Sequence, residues 1–198
     1  MPLSEFIAFS LFAWIGSFTP GPNVAIAATT GVNHGLRAAL PQVIGVPLGF
    51  VILMWAIGSG GAWILQGHAT LLFSMKLVGN AYLLWLAWRL CFSATLSNSK
   101  STQALSVPQA AMFQIVNPKA WMMLVAVTST YAIGQTHFFS RMAWMSLGFA
   151  IPCALSVFAW AWMGDKLRQY LQVGQRLRCF NLGMGVALAL TAVWMFSL

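Results

Sequence analysis

Charge is scarce in this chain, and negative charge is almost absent. Only 6% of the 198 residues are charged, and the acidic residues number two, Glu5 and Asp165. A soluble globular domain carries roughly 25% charged residues. Because 60% of the residues are hydrophobic, the composition excludes a soluble catalytic or nucleic-acid-binding domain and indicates a chain that crosses a lipid bilayer several times.

The motifs of cofactor-dependent and nucleotide-driven proteins are lacking as well. No glycine-rich nucleotide loop is present, and Cys91, Cys153 and Cys179 stand in no CxxC or Cys/His metal spacing. The ten Lys and Arg residues form no dense run, so the net charge of +8 does not predict nucleic-acid binding. We therefore expect no cofactor, no metal, no nucleic-acid partner, and buried free thiols.

The chain has instead six long apolar segments. They cover approximately residues 6–32, 38–64, 69–93, 110–133, 141–164 and 178–198. Each can form a helix of about 20 residues, the length that crosses the hydrocarbon core of a bilayer. A polar Ser-rich stretch from Ser93 to Gln109 separates the third segment from the fourth and is expected to be a linker. The sequence thus predicts a single transmembrane domain over residues 1–198.

Prolines interrupt two of these segments near their middle. The first contains Thr-Pro-Gly-Pro-Asn at residues 19–23, and the fourth contains Asn-Pro-Lys at 117–119. Proline removes a backbone N–H and disrupts the preceding turn, so carbonyls of residues 16–18 should lose their donors. Such a break persists in a bilayer where it lines a cavity or binds a polar ligand, although a kink packed against a neighbouring helix is the alternative. The candidate substrate-binding residues are Thr19, Pro20, Gly21, Pro22, Asn23, Gln114, Asn117, Pro118 and Lys119.

Lys119 lies deep within an apolar segment. A lysine at that depth costs roughly 2.5 to 3.5 kcal/mol on insertion scales unless it contacts water, a counter-charge or the bundle interior. No carboxylate stands at mid-span, so the expected partners are backbone carbonyls, Asn23, Asn117 and the carboxylate of a bound substrate, whose ammonium the carbonyls and Asn23 would hold. Snorkelling of the side chain to the cytoplasmic interface is the alternative.

The two groups of three segments resemble each other. Leu-Gly-Phe at residues 48–50 recurs at 147–149, and Pro20 has a counterpart in Pro118. An odd number of helices per group gives the two copies opposite orientations, as in many secondary transporters. We predict an all-α integral membrane protein, a six-transmembrane-helix bundle built from two inverted three-helix repeats with broken helices 1 and 4. The repeats cover about 1–93 and 110–198, and the linker about 94–109.

Basic residues are distributed unevenly between the predicted loops. With the N-terminus outside, seven face the cytoplasm and two face outward, as the positive-inside rule requires. The seven are Arg37, Arg89, Lys100, Lys166, Arg168, Arg176 and Arg178, and the two are Lys76 and Arg141. We predict both termini on the extracytoplasmic side and a cytoplasmic basic loop from Gly164 to Arg178, with His34, His68 and His137 also in loops.

Four stretches carry a family resemblance: TPGPN in the first helix, HGLRAAL after it, GNAYLLWLAW in the third segment and NPK in the fourth. Together they resemble the LysE/RhtB family of bacterial amino-acid and metabolite exporters, over essentially the whole chain. Within the family the chain is most similar to the branch for neutral amino acids, homoserine, threonine and cysteine-related metabolites. The resemblance implies efflux of a small amino-acid-like substrate across the inner (plasma) membrane, coupled to protons, with residues 19–23 and 117–119 at the site.

Export of a metal cation and intramembrane catalysis are the alternatives. Hard cations prefer several oxygen ligands, which a chain with two carboxylates supplies poorly. An enzyme needs a nucleophile with a base, or metal ligands, converging within the membrane, and no acid or histidine is expected in any span. We therefore expect a transporter and not an enzyme. It would lie in the lipid bilayer, with glycine-rich helix faces that permit close packing and are compatible with a homodimer.

Overall fold

The computed structural model describes residues 2–61, 104–171 and 175–197, with side chains as far as Val193, and the short pieces 73–74, 77–78, 80–81, 84–85, 87–88 and 91–92. Regular structure in these residues is helical, which confirms the all-α prediction for them. The named helices are α1 Leu3–Phe18, α2 Pro22–His34, α3 Leu36–Ala56, α4 Val107–Val116, α5 Pro118–Tyr131, α6 Phe138–Leu171 and α7 Arg176–Ser197.

Several of these helices are long and apolar enough to cross a membrane. Three qualify alone: α3 with the π-helical turn Ile57–Gly61 that follows it, α6, and α7. The pairs α1 with α2 and α4 with α5 qualify as bent spans, with bends of 45° and 73°. Both breaks therefore lie where the prolines predict them. Most of the third predicted segment, 69–93, and the linker as far as residue 103 lie outside the described residues.

The helix boundaries differ from the prediction at two places. α4 begins at Val107, before the predicted start at 110, because Ser106 and Gln109 form a capping box in which the Ser106 N–H donates to Gln109 Oε1 at 2.9 Å. α6 continues to Leu171, so the prediction that a loop begins at Gly164 is wrong. The residues that follow Gly164 include Lys, Leu, Arg and Gln, which favour helix, and no proline that would end it.

Gly35 joins α2 directly to α3. Its φ of 82° lies in the left-handed region, which glycine adopts more readily than other residues. A Cβ atom there would lie 3.2 Å from Asp165 Oδ1 of α6. This tight turn leaves no loop for His34, which is the last residue of α2, contrary to the prediction. His137 lies in the turn before α6, so its predicted position in a loop is confirmed. His68 lies outside the described residues.

Phe149 of α6 lies at the centre of the main apolar core, which includes residues of α1 to α6. Its ring contacts Phe9, Phe12 and Phe50, with centroids 5.5, 6.4 and 6.2 Å away. Phe50 and Phe149 are the phenylalanines of the two Leu-Gly-Phe tripeptides, and their rings are stacked with an interplanar angle of 24°. The two similar stretches of sequence therefore meet in the core.

Glycines allow helices to approach closely in this bundle. A methyl group on Gly31 of α2 would overlap the Ala161 carbonyl of α6, and one on Gly164 would overlap the Ala28 carbonyl of α2. Gly49 of α3 lies equally close to the backbone of α4. The prediction that glycines serve close packing is confirmed at these positions.

The cysteines are free, but they are not all buried. Cys153 of α6 is buried, as predicted, and Cys91 is partly buried. Cys179 is exposed, so the prediction of a buried thiol is wrong there. It lies in the first turn of α7, next to the exposed Arg178.

Charged side chains collect at the two ends of the bundle. At the end where α1 begins, Arg141 Nη1 donates to Glu5 Oε2 at 3.0 Å and to the Tyr131 carbonyl at 3.1 Å. The opposite end holds the α2–α3 turn, the end of α6 and the start of α7. Five basic residues belong to it: Arg37, Lys166, Arg168, Arg176 and Arg178.

Candidate functional site

The two helix breaks lie side by side in the structure. Lys119 Nζ donates to the Thr19 carbonyl at 2.7 Å. The side-chain amides of Asn23 and Gln114 exchange two hydrogen bonds of 3.0 Å each. The two sequence motifs therefore form one polar cluster, as expected if they contribute to a common site.

Gln114 is the centre of a buried amide network. Its side chain is fully buried, and besides the pair with Asn23 its Nε2 donates to the Ala110 carbonyl at 2.9 Å. Its Oε1 also accepts from Asn117 Nδ2 at 3.0 Å. Asn117 is only 1% exposed, and its Oδ1 has no hydrogen-bond partner among the described residues. A buried acceptor without a partner is costly, so a donor from a ligand would be favourable there.

A cavity of about 30 Å³ lies between the breaks. It can hold a water molecule or two but is too small for an amino acid. Of the nine residues predicted for the site, six line it: Thr19, Gly21, Pro22, Asn23, Asn117 and Lys119. Gln114 lies behind the cavity and bonds to two of these residues. Pro20 and Pro118 do not line it and shape the backbone on either side.

The remaining cavity residues were not predicted as site residues, although the carbonyls of Gly16 and Ser17 fall in the predicted range 16–18. They are mainly apolar and come from α1, α2, α3, α5 and α6: Gly16, Ser17, Val24, Phe50, Met123, Cys153 and Val157. Cys153 was expected to be a buried thiol, but not one beside the site. Residue type gave no signal for these positions, because an apolar residue that faces a cavity looks the same in sequence as one that faces lipid.

Side chains from three other helices contact carbonyls at the first break. Ser156 of α6 donates to the Ser17 carbonyl at 2.7 Å and Lys119 of α5 to that of Thr19, while the Thr191 hydroxyl of α7, which bonds to the Ala187 carbonyl at 2.8 Å, lies 3.4 Å from the Pro20 carbonyl. The Ser17 carbonyl lies within the predicted range 16–18, and the carbonyls of Thr19 and Pro20 lie just after it. The range extends further because α2 restarts at Pro22, and the first N–H groups of a helix have no partner within it, so carbonyls just before the restart lose their donors too.

The second break satisfies its backbone locally. Trp121 Nε1 donates to the Ile115 carbonyl at 2.8 Å, and the Asn117 N–H donates to the Gln114 carbonyl at 3.3 Å. All four residues belong to the α4–α5 pair itself. This break is therefore a self-contained support for the side chains of Gln114, Asn117 and Lys119.

Lys119 lies across Gly21. A Cβ atom on Gly21 would be 3.0 Å from Lys119 Cδ and 3.1 Å from Nζ, so the absence of a side chain makes room for the lysine. Neither of the two carboxylates of the chain lines the cavity. The ammonium group thus points to a carbonyl of the first break and has no carboxylate beside it in the cavity.

The described residues contain no group of three or more His, Cys, Asp or Glu side chains that could hold a metal ion. The polar groups that do converge at the breaks are amides, carbonyls and one ammonium. This set provides donors and acceptors for a small polar molecule with charges of both signs.

Apolar spans with two broken helices that meet around a polar cavity are typical of membrane translocators. The chain belongs to the LysE type translocator family, whose sequence profile matches residues 14–197. The family resemblance inferred from the four sequence stretches is thereby confirmed.

Curated relatives share nearly the full length of the chain. The cysteine/O-acetylserine efflux protein of Escherichia coli O1:K1 is 28% identical over 190 residues, which are 96% of each chain. The proteins of the same name from Escherichia coli K12 and Shigella flexneri serotype 5b are 27% identical over the same length and coverage. No solved structure shows a significant match.

Proposed function

We propose that this protein exports a small zwitterionic amino acid, or a closely related metabolite, across the bacterial inner membrane. The observation that carries the proposal is the convergence of Lys119, the Asn23–Gln114–Asn117 amides and the freed Thr19 carbonyl at one cavity. Carbonyl and amide oxygens can hold an ammonium group. Lys119 and the N–H groups at the start of a half-helix can hold a carboxylate.

The relatives support a substrate with a short side chain. They are named for efflux of cysteine and O-acetylserine, and they match this chain along 96% of its length. The apolar residues Phe50, Met123 and Val157 give the cavity a wall suited to a small uncharged side chain. We therefore propose cysteine, O-acetylserine and similar neutral amino acids as the substrate class.

Alternating access of two inverted repeats is the proposed mechanism. The stacking of Phe50 on Phe149 and the contact of Gly21 with Lys119 support a pseudo-two-fold axis near the cavity, because these residues occupy corresponding positions in the two halves. In this proposal six spans form the repeats 1–93 and 110–198, and rocking of one against the other widens the cavity of about 30 Å³ to admit substrate.

The proposed energy source is the proton gradient. No carboxylate lines the cavity, so the candidates for the proton carrier are Lys119 and the ionisable groups of the substrate itself. Export from proteoliposomes with and without an imposed pH gradient tests this proposal, and equal rates in both would argue against coupling.

The proposed orientation places both termini outside. Five basic residues at the end of the bundle with the α2–α3 turn, against the ion-paired Arg141 at the other, support a cytoplasmic location of that turn. Alkaline phosphatase fused after the last residue is expected to be active. The same enzyme fused within the Ser-rich linker is expected to be inactive, and the reverse pattern would invert the orientation.

The export proposal is tested in cells that overproduce the protein. The measurement is extracellular accumulation of cysteine, O-acetylserine, homoserine and threonine after loading, together with tolerance of their toxic analogues and of metal salts. Accumulation of one or more amino acids is expected, with loss in Lys119→Ala. The matched control is Gly183→Ala, because a Cβ atom there would meet no atom of the described residues within 4 Å. Tolerance of a metal salt alone, or no export from well-inserted protein, would overturn the proposal.

A further inference from the structure

We propose that Lys119 acts as a tethered substitute for the substrate ammonium, and that it thereby makes the transporter reject primary amines that lack a carboxylate. The inference rests on the proposed function and adds a criterion for which ligands the transporter accepts as substrates. Its basis is the position of the Lys119 ammonium, which donates a hydrogen bond to the Thr19 carbonyl at 2.7 Å.

The Thr19 carbonyl is an acceptor that the helix break has freed. A lysine side chain and an amino acid both present an –NH₃⁺ group with three donors and no acceptor. Lys119 therefore already makes the hydrogen bond that a substrate ammonium would make. The cavity of about 30 Å³ is too small for a second such group together with the molecule that carries it. A substrate must displace Lys119 to reach this carbonyl.

Displacement has different consequences for the two classes of ligand. A zwitterion brings a carboxylate, which gives the displaced ammonium a new partner. An amine brings only positive charge, and neither Glu5 nor Asp165 lines the cavity to neutralise it. Two cations would then share one small cavity with no counter-charge beside them, which is unfavourable. The same residue thus binds the carboxylate of the correct substrate and repels ligands without one.

Two further observations support an ammonium site. Asn117 Oδ1 is a buried acceptor with no partner among the described residues, in a side chain that lines the same cavity. This oxygen is closed off from the cavity in the present structure, so it would serve as a second acceptor for an ammonium once the cavity widens. Gly21 follows Pro20 as Lys119 follows Pro118, so the first half has a glycine at the position where the second has its lysine. The Lys119 side chain occupies that space, 3.0 to 3.1 Å from a Cβ position on Gly21.

The decisive variant is Lys119→Met, which keeps an unbranched side chain one atom shorter and removes its charge. Wild-type protein in proteoliposomes is expected to transport cysteine but not cysteamine, its decarboxylated counterpart, and to transport serine but not ethanolamine. Lys119→Met is expected to lose cysteine transport and to gain cysteamine and ethanolamine transport, to about tenfold above empty liposomes. Assays at pH 6 keep the amines protonated, since a primary ammonium titrates near pH 10.

Lys119→Arg is the matched charge-retaining variant, and it is expected to keep rejecting amines. Thermal stability gives a second readout that does not need turnover. Cysteine should raise the Tm of the wild type and cysteamine should not, while Lys119→Met should show the reverse.

The outcomes separate the inference from the proposed function. Amine transport by the wild type, or neither transport of amines nor stabilisation by them in folded Lys119→Met, would overturn the inference while leaving amino-acid export in place. If the wild type transports no amino acid and none stabilises it, the proposed function fails, and the inference fails with it.

Discussion

The two proline breaks satisfy the same backbone requirement in different ways. At the first break the Ser17 and Thr19 carbonyls accept hydrogen bonds from side chains of α6 and α5, and a hydroxyl of α7 lies 3.4 Å from the Pro20 carbonyl. At the second break the Ile115 carbonyl accepts from Trp121, within the α4–α5 pair. Among the described residues, carbonyls of the first break therefore accept hydrogen bonds from other helices, whereas the Ile115 carbonyl of the second is bonded within its own helix pair.

This difference suggests a division of roles between the halves. Donors that come from other helices can separate from the first break when those helices move, and a ligand can then replace them. The second break keeps its geometry and presents Gln114, Asn117 and Lys119 from fixed positions. Backbone acceptors from one half and side-chain groups from the other would thus enclose the substrate, as inverted-repeat transporters require at their midplane.

The largest loss of export is expected from a substitution of Gln114, whose side chain joins the two breaks. Gln114→Leu keeps the volume of the side chain but leaves the buried Asn23 and Asn117 amides without their partner. An unsatisfied buried polar group costs about 1–3 kcal/mol, so export should fall by roughly tenfold or more and the Tm should decrease. Initial export rates in proteoliposomes and thermal unfolding of the purified protein measure the two effects.

Gln42→Leu is the matched control for that variant. Gln42 is an equally buried amide, but it bonds to Thr30 at 2.9 Å and does not line the cavity. It should lower the Tm while export per folded molecule stays close to that of the wild type. Equal loss of export in both variants would mean that buried amides matter only for folding, and the special role of Gln114 would have to be abandoned.

Two glycine substitutions are expected to have an intermediate effect and to separate transport from folding. Gly21→Ala places a methyl group against the mobile end of Lys119, which can move aside but loses its hydrogen bond to Thr19. A bond of about 1 kcal/mol corresponds to a roughly fivefold fall in export. Gly31→Ala places its methyl group against the Ala161 carbonyl, which cannot move without the helix.

We therefore expect Gly21→Ala to insert normally and export slowly, and Gly31→Ala to yield less folded protein. Immunoblots of the membrane fraction, size-exclusion profiles and export rates distinguish the two, with Gly183→Ala as the neutral substitution. Unchanged export by Gly21→Ala would show that the position of Lys119 over the first break is unimportant.

Much of the fold was predictable because its causes are local in sequence. Proline chemistry alone located both breaks, and apolar length located the helices that are described. The continuation of α6 past Gly164 was missed because scarcity of apolar residues was taken as the end of a helix, whereas Lys166, Leu167 and Arg168 continue it into the polar region. Hydropathy indicates where the membrane ends and does not indicate where the helix ends.

The site was predictable only where its residues carry a local signal. Three prolines, a lysine within an apolar segment and nearby amides marked six of the cavity residues. Ser156 and Thr191 were missed because a hydroxyl in an apolar helix commonly bonds to its own helix. Thr191 Oγ1 does so with the Ala187 carbonyl at 2.8 Å as well as contacting Pro20. Which hydroxyl reaches a freed carbonyl depends on helix packing, which the sequence does not display.

The smallest predicted effect compares one hydrogen bond from each break. Ser156→Ala removes the donor to the Ser17 carbonyl at the first break, and Trp121→Phe removes the donor to the Ile115 carbonyl at the second. Hydrogen bonds between membrane helices contribute about 0.6 kcal/mol on average, so the export rate of Ser156→Ala should change by only about two- to threefold.

Trp121→Phe should lower the Tm slightly and leave export unchanged, because the second break is not expected to exchange its partners during transport. Initial export rates and Tm values, measured side by side on the two purified variants, test this difference between the breaks. A change of export in Trp121→Phe as large as that in Ser156→Ala would mean that both breaks rearrange, and that the first has no special freedom to exchange its partners.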